Sequence, residues 1–359
     1  MASGTQQLEM QWMDRRERTP SLLNLPVARR LVDGMGALGL ASVAGGSEVV
    51  GRSPGFQHET VLRDEVAEFL LPENDKLILD GTLGGGGHSE ALLRKGANVV
   101  GVDQDDEALD AACSRLAEFG DQFLPMHGNF RGFNSVLEET DVLLDGIILD
   151  LGVSSWQLDS PERGFSFRFD APLDLRMDPT AGSPASEFLA TATAEEMADV
   201  FWKYGDERGS RRIARRIVER REEAPIETTF QLSAAVESVS PRRGKTHPAT
   251  KVFQALRIHT NDELGALEAA LRWIPTHLRP GGRVAIISFH SLEDAIVKRW
   301  MRSLSAAWLD RREWPAPKPN PDYCLDEIFR KGVAPSSEEV ARNSRSRSAR
   351  LRVAERRAV

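Results

Sequence analysis

KLILDGTLGGGGHSEALLRKGANVVGVD, residues 76–103, decides the fold. An apolar run at 77–79 ends on Asp80, and a glycine-rich turn follows at 81–87. Residues 88–95 then read as a helix, and 98–102 as a second strand closed by Asp103. Strand, glycine loop, helix, strand and acid together outline a nucleotide-handling α/β unit. The glycines let backbone approach a ligand where a Cβ would clash. An acid ending the second strand is placed to accept hydrogen bonds from ribose hydroxyls.

Spacing narrows the ligand. A dinucleotide fingerprint, G-x-G-x-x-G, counted from Gly84 puts Ser89 where the last glycine belongs. A phosphate loop would need Lys and Ser or Thr after Gly86, and the chain has Gly87 and His88. What remains is Asp80-x-Thr82-x-Gly84-x-Gly86, without a lysine for phosphate. It resembles the loop of class I S-adenosylmethionine methyltransferases, with threonine for the first glycine. Taken alone, the loop also fits a purely structural turn.

Composition bounds the rest. The chain has 359 residues and 41% hydrophobic content, enough for one large or two ordinary globular domains. Its two cysteines, Cys113 and Cys324, have neither metal-ligand spacing nor the look of a disulfide framework, so a reducing, cytoplasmic setting is expected. No apolar run reaches membrane-spanning length, and no membrane partner is expected. A net charge of −8 excludes a generally basic nucleic-acid coat, so any nucleic-acid contact must come from local basic patches. The seven histidines are scattered, and no metal site is predicted.

Residues 1–55 are rich in Gly, Ser and Arg and lack a sustained pattern, which reads as a disordered extension or an upstream start. The alternative is a transit peptide to an organellar matrix, against which Glu9, Asp14, Glu17 and Asp33 count. Helices are expected at 61–71 and 106–119, and strands at 122–127 and 142–150. Continuous apolar runs such as VLLDGIILD suit a buried parallel sheet. In a doubly wound sheet, ligands bind beyond the carboxyl ends of the strands, where Asp80, Asp103, Phe130 and Asp150 fall. After Asp150 come a polar stretch at 161–183, helices at 194–204, 209–221 and 229–238, and a helical stretch at 250–277 with a break near Asn261. The sheet resumes with a strand at 283–289 and a helix at 292–304. An irregular excursion at 307–337 precedes a closing strand at 348–355. The expected organisation is a sheet domain of 56–158 with 265–359, carrying a helical insertion at 159–264.

The stretch DGIILDLGVSSWQLDSPERGFSFRFDAPLDLRMD, 145–178, is far more specific than the loop. With HETVLRDEV at 58–66, YGDERGSRRIARRIVERR at 204–221 and KTHPATKVFQALRIHTNDEL at 245–264, it resembles the RsmH (MraW) family. These are small-subunit (16S) rRNA cytosine-N4 methyltransferases. GGRVAIISFHSLEDAIVKRW at 281–300 and NSRSRSARLRVAE at 343–355 extend the likeness, in family order, to Glu355. The chain departs from the family at Trp156, where proline is usual, in the linker between 304 and 340, and in the amino-terminal segment. The resemblance implies a class I methyltransferase fold with a helical insertion. It also implies S-adenosyl-L-methionine as cofactor, and as acceptor a cytosine in the decoding centre of 16S rRNA within the small ribosomal subunit. It assigns cofactor binding to Gly86, Gly87, His88, Asp103, Phe130, Asp150 and Gln157. Read without the family, His88 is a helix-start residue facing solvent.

An exocyclic cytosine amine is a poor nucleophile because its lone pair is delocalised. It needs alignment with the methyl group and acceptors for its hydrogens. After the fourth strand, Asp150, Ser154 and Ser155 are candidate catalytic acceptors, and Trp156 a stacking surface or a packed aromatic. His290 and Glu293 are substrate-side candidates, while Ser291 with Asp294 reads equally as a helix cap. For RNA, Arg208, Arg211, Arg212, Arg215 and Arg216 recur at helical spacing, which fits a solvated face or a phosphate contact. Arg242, Arg243 and Lys245 follow in the same insertion. Arg163 and Arg168 flank two phenylalanines in RGFSFR, a pattern for base stacking or for a lid. The tail adds Arg342, Arg345, Arg347, Arg350 and Arg352. Rival readings are a methyltransferase acting on DNA or protein, and a non-catalytic RNA-binding or ribosome-assembly factor.

Overall fold

The computed structural model describes residues 60–72, 75–242 and 247–358. The expected extension at 1–55, His58, Arg243 and Lys245 lie outside the described residues. The chain forms two compact units, one of residues through Gly152 and from Ala266 onward, the other Val153–Gly265.

The first unit is built on a seven-stranded sheet. Its leading strands are β1 (Leu77–Asp80), β2 (Asn98–Asp103), β3 (Phe123–His127) and β4 (Leu144–Asp150). Later come β5 (Leu278–Ser288), β8 (Leu325–Glu327) and β9 (Arg350–Arg356). The order across the sheet is β3-β2-β1-β4-β5-β9-β8. The first five strands pair in parallel, β9 runs antiparallel to β5, and β8 antiparallel to β9. All four residues of β1 and the first five of β2 are buried, as their uninterrupted apolar runs require. Alternate residues enter different cores. Leu77, Leu79, Val100, Ile147, Leu149 and Ile286 join one cluster, and Ile78, Val99, Ile148 and Ile287 the other. The chain reversal falls between β1 and β4, so the carboxyl ends of β1, β2 and β4 share one rim.

Helix α1 (Arg63–Phe69) precedes β1, and α2 (Gly87–Leu93), α3 (Asp106–Leu116) and α4 (Phe133–Thr140) fill the crossovers between the first four strands. The expected helix at 106–119 ends at Leu116 and passes into a 3-10 turn. Helix α4 was not legible as an element. It is eight residues long, and its buried Phe133, Val136 and Leu137 pack only once the sheet exists.

In the second unit, α5 (Ser155–Asp159), α6 (Ala185–Thr191), α7 (Ala194–Gly205), α8 (Ser210–Glu223), α9 (Thr229–Val239) and α10 (Thr250–Asn261) enclose their own core around Phe201, Ile213, Ile217, Leu232 and Leu256. The break expected near Asn261 is a full corner. Asp262 adopts a left-handed conformation with φ 46°, and α11 (Glu263–His277) restarts after it. Asn261 fastens the polar stretch from this corner: its Oδ1 accepts from Met177 N at 2.8 Å and its Nδ2 donates to Leu175 O at 2.8 Å.

Helix α12 (Ser291–Ser305) follows β5 in the first unit. Its cap is a correction: His290, not Ser291, is the N-cap, and Glu293, not Asp294, completes the capping box. Asp294 is engaged elsewhere. Its two oxygens take Arg352 Nε at 2.8 Å and Nη2 at 3.1 Å. Arg352 is 4% exposed, so this tail arginine is a structural residue of β9 rather than RNA-facing surface. Replacing Arg352 by alanine leaves Asp294 unpaired against the sheet, and denaturant unfolding should register a loss of about 3 kcal/mol. An unchanged midpoint would show the pair to be dispensable. The stretch at 307–337, expected to be irregular, contains strand β8 and a short hairpin of β6 (Trp308–Leu309) with β7 (Lys318–Pro319). A last helix, α13 (Ser337–Arg342), precedes β9.

Candidate active site

The glycine loop is laced to its neighbouring strands. Gly81 N donates to Ile148 O at 3.0 Å and Leu83 N to Val102 O at 3.0 Å. Thr82 Oγ1 accepts from Asp150 N at 2.6 Å. The threonine that replaces the usual first glycine therefore ties the loop to the end of β4. Asp80, 1% exposed, accepts from Ser89 Oγ at 2.7 Å and from Thr82 N at 3.3 Å. Burial raises its pKa, opposed by the nearby His88 ring and by those two hydrogen bonds. Gly86 caps α2 at φ 77°, a conformation that a side chain resists. Gly87 packs so tightly that a Cβ there would lie 1.8 Å from Thr60 Oγ1. Gly86 and Gly87 are both buried, and the space their side chains would take is filled by Leu116 and Ala112 of α3 and by Thr60.

Asp103 sits beside this loop. Its Oδ2 accepts from Gly84 N at 2.8 Å and its Oδ1 from Asp105 N at 3.0 Å. One carboxylate therefore fixes both the loop and the approach to α3. Burial lifts its pKa from 3.8 to about 6, outweighing the two N–H bonds that favour the carboxylate. The next strand contributes Phe130. Gly128 N donates to Asp103 O at 2.8 Å, and Asn129 Oδ1 accepts from Arg131 N at 3.0 Å to start the turn carrying Phe130. A Cβ added to Gly81 would lie 3.1 Å from Phe130 Cβ, so the phenylalanine lies against the loop.

The most telling feature is at α2 and β4. His88 is 4% exposed, which corrects the reading of a solvent-facing residue. Its Nε2 lies 3.4 Å from Asp150 Oδ2, yet neither ring nitrogen makes a hydrogen bond, and Asp150 Oδ1 is likewise buried without a partner. Buried polar atoms left unsatisfied call for a ligand or a catalytic role. Gly86, Gly87, His88, Asp103, Phe130 and Asp150 are thus brought to one rim of the first unit. The sequence reading missed Thr82, Ser89 and Asn129, which hold that set in place. The threonine in the first-glycine position was the available clue to the first of them.

At the end of β5, Glu293 is 2% exposed and its Oε2 accepts from Phe289 N at 2.8 Å and His290 N at 3.3 Å. His290 Nδ1 accepts from Glu293 N, so both residues have a capping function at α12.

Of the remaining expected residues, Arg342, Arg345, Arg347 and Arg350 lie in the first unit and the others described belong to the second. Ser154 caps α5, its Oγ accepting from Gln157 N at 3.2 Å while Gln157 Oε1 accepts from Ser154 N at 3.1 Å. Sequence reading had given Ser154 to catalysis, and the resemblance gave Gln157 to cofactor; in the structure the two form a capping box with each other. Ser155 opens the same helix. Arg163 is buried, its Nη2 donating to Met177 O at 2.9 Å and Arg176 O at 3.2 Å. It braces a loop, so it leaves the RNA set. Arg168, Arg211, Arg212, Arg215 and Arg242 are exposed. On the opposite face of α8, Ile213, Ala214 and Ile217 are buried, so the arginine face is the solvent side.

The strand order, the antiparallel β9 and the acid beside a glycine loop define a class I methyltransferase fold. The chain belongs to the MraW methylase family, whose profile matches residues 55–357. It is 47% identical over 304 residues to "Ribosomal RNA small subunit methyltransferase H" of Syntrophotalea carbinolica, covering 83% of this chain and 97% of that one. The protein of the same name from Gloeobacter violaceus is 48% identical over 301 residues, covering 83% and 88%. Among solved structures, SMU.1697c of Streptococcus mutans, described as a putative methyltransferase in complex with SAH, aligns with a TM-score of 0.37 and 12% identity. That alignment covers 82% of this chain and 94% of the other. The protein is a methyltransferase.

Proposed function

We propose that this methyltransferase methylates N4 of a cytosine in the decoding centre of 16S rRNA, with S-adenosylmethionine as donor. The observation that carries the reading is the pairing of buried His88 with half-buried Asp150, with the unsatisfied His88 nitrogens and the unsatisfied Asp150 Oδ1, at the rim beside the glycine loop. The residues present fit the donor: open space beside Gly84 and Gly85 in the glycine loop, a carboxylate at Asp103 for ribose hydroxyls, and Phe130 as an apolar wall. When bound, the donor supplies an electrophilic methyl group on a positively charged sulfur.

Each residue then has a task. Asp103 accepts from the ribose hydroxyls while its hold on Gly84 N keeps the loop shaped for them. His88 supplies a buried polar ring next to Asp150 and orients that carboxylate. Asp150 Oδ1 accepts an amine hydrogen of the cytosine. This localises the nitrogen lone pair and offsets positive charge as it develops on nitrogen. The proton leaves to Asp150 after the new N–C bond forms, so no strong base is required. The cytosine has to be unstacked to reach such a group, at the expense of a few kcal/mol.

Recognition of RNA falls to the helical unit. Its exposed Arg211, Arg212 and Arg215 share one face of α8, with Arg168 and Arg242 elsewhere on the unit. Replacing Arg211, Arg212 and Arg215 together by alanine should lower the slope of log affinity against log salt by about 2. Filter binding of 16S rRNA across a salt series measures this, and an unchanged slope removes these arginines from the interface. A protein acting on ribosomal RNA works where ribosomes are found, which supports the cytoplasm as its setting, with an organellar matrix as the alternative. Methyl transfer to purified small subunits, run beside free DNA, tests the substrate class. Activity on DNA alone would overturn the reading.

A further inference from the structure

The β6–β7 hairpin is unexplained by the site above, and it lies in the linker where the sequence departs from the family pattern. It is firmly built. Asn320, 8% exposed, donates through Nδ2 to Ser303 O at 2.8 Å and Ala306 O at 2.7 Å, satisfying carbonyls that the end of α12 leaves open. Asn320 N donates to Ala307 O at 2.9 Å, closing the excursion at its base. Within the loop, Trp314 holds two cations over its ring, Arg311 at 5.0 Å and Lys318 at 4.9 Å from the centroid. Trp308 pairs across the hairpin with Pro319 yet is 61% exposed, more than any other large hydrophobic side chain among the described residues.

A rigid hairpin that presents a tryptophan face beside ordered cations has the make-up of a stacking platform for unpaired nucleotides. Charge agrees. From 298 to 320 the cations are Lys298, Arg299, Arg302, Arg311, Arg312 and Lys318, against Asp310 and Glu313, in a chain of net charge −8. Trp308 is flanked by Ala307 and Leu309 and faces Pro319 across the hairpin, with Asp310, Arg311, Arg312 and Lys318 next along the two arms, so the aromatic face is bordered by a cation-rich turn.

We propose that this hairpin is a second RNA contact, in which Trp308 stacks on an unpaired base while Arg311, Arg312 and Lys318 hold the adjoining phosphates. The inference rests on the rRNA reading and extends it to the sheet unit. Trp314 is the scaffold that sets Arg311 and Lys318 side by side, and Asn320 fixes the platform to α12.

The test uses the full chain. Affinity for protein-free 16S rRNA and for a labelled single-stranded oligouridylate is measured for Trp308→Ala, Trp308→Phe and Lys318→Ala. Trp308→Ala should weaken both about tenfold, Trp308→Phe should recover most of that loss, and Lys318→Ala should lower the salt slope by about 0.7. Unfolding midpoints and affinity for S-adenosylhomocysteine should stay at the wild-type value, since Trp308 is exposed and outside the cofactor rim. An unchanged affinity of Trp308→Ala for protein-free 16S rRNA overturns the proposal. So does a loss seen only with intact subunits, which would make the partner a ribosomal protein. Methyl transfer to small subunits by the unaltered chain is assayed in parallel. Its absence sinks the rRNA reading, whereas transfer combined with an unaffected Trp308→Ala sinks the hairpin contact alone.

Discussion

Replacing Asp150 by asparagine is expected to slow methyl transfer about a thousandfold while leaving the fold intact. The substitution preserves volume and leaves Asp150 N bonded to Thr82 Oγ1, so the loop stays tied to β4. What changes is the charge. An amide cannot take the amine proton and offsets little of the charge that develops on the nitrogen. Because Asp150 Oδ1 is buried without a partner, its loss removes no internal hydrogen bond. The unfolding midpoint should therefore hold or rise. Single-turnover rates with saturating cofactor separate the outcomes. A lower rate constant with near-normal S-adenosylhomocysteine affinity supports the role in chemistry, and a loss of affinity with an unaltered rate constant contradicts it.

Asp103 is expected to dominate cofactor affinity. Two charge-assisted hydrogen bonds to ribose hydroxyls are together worth about 3 kcal/mol, so Asp103→Ala should weaken S-adenosylhomocysteine binding about a hundredfold. Asp103→Asn is no gentle replacement. Both carboxylate oxygens accept from backbone N–H groups, of Gly84 and Asp105, and an amide NH₂ must face one of them. The pH profile provides an independent reading. Burial lifts the folded pKa from 3.8 to about 6. Between those values the folded chain binds more protons than the unfolded chain, so the contribution of Asp103 to stability falls as pH rises through the window. Cofactor binding runs the other way, because ribose hydroxyls donate to the carboxylate. Affinity should fall as pH is lowered through about 6, and calorimetry should find that dependence flattened in Asp103→Asn. A profile flat in the unaltered chain would contradict the ribose role.

Much of this was legible in the sequence. The loop at 81–87, the acids closing β1, β2 and β4, and the aromatic after β3 follow from apolar runs that end on a polar residue at a common rim. His88 was legible only through the family. A histidine at a helix start ordinarily faces water, and it is buried here because the short loop packs α2 against Thr60 and β4. The arginines divided for a physical reason that sequence does not carry. Arg163, Arg352 and Arg211 look alike in one dimension, but the first two lie where backbone carbonyls or an aspartate await a guanidinium, and the third on the outer face of α8. Ser154 was read as chemistry from its place beyond a parallel strand, and Gln157 was given to cofactor by the family resemblance alone. The same spacing of three suits a capping box, and that is how they bond. The short elements α4, α6 and β8 were missed because each is eight residues or fewer, although the buried Phe133, Val136, Leu137 and Thr140 of α4 do repeat at helical spacing.

Nucleoside analysis of 16S rRNA tests the central claim most directly. Small subunits lacking the modification are incubated with this chain and S-adenosylmethionine, the rRNA is digested, and the nucleosides are separated by mass. The account predicts N4-methylcytidine, formed at one decoding-centre cytosine and absent with Asp150→Asn. Methyl groups on another base, on the cytosine ring carbon, or equally abundant with Asp150→Asn would contradict it.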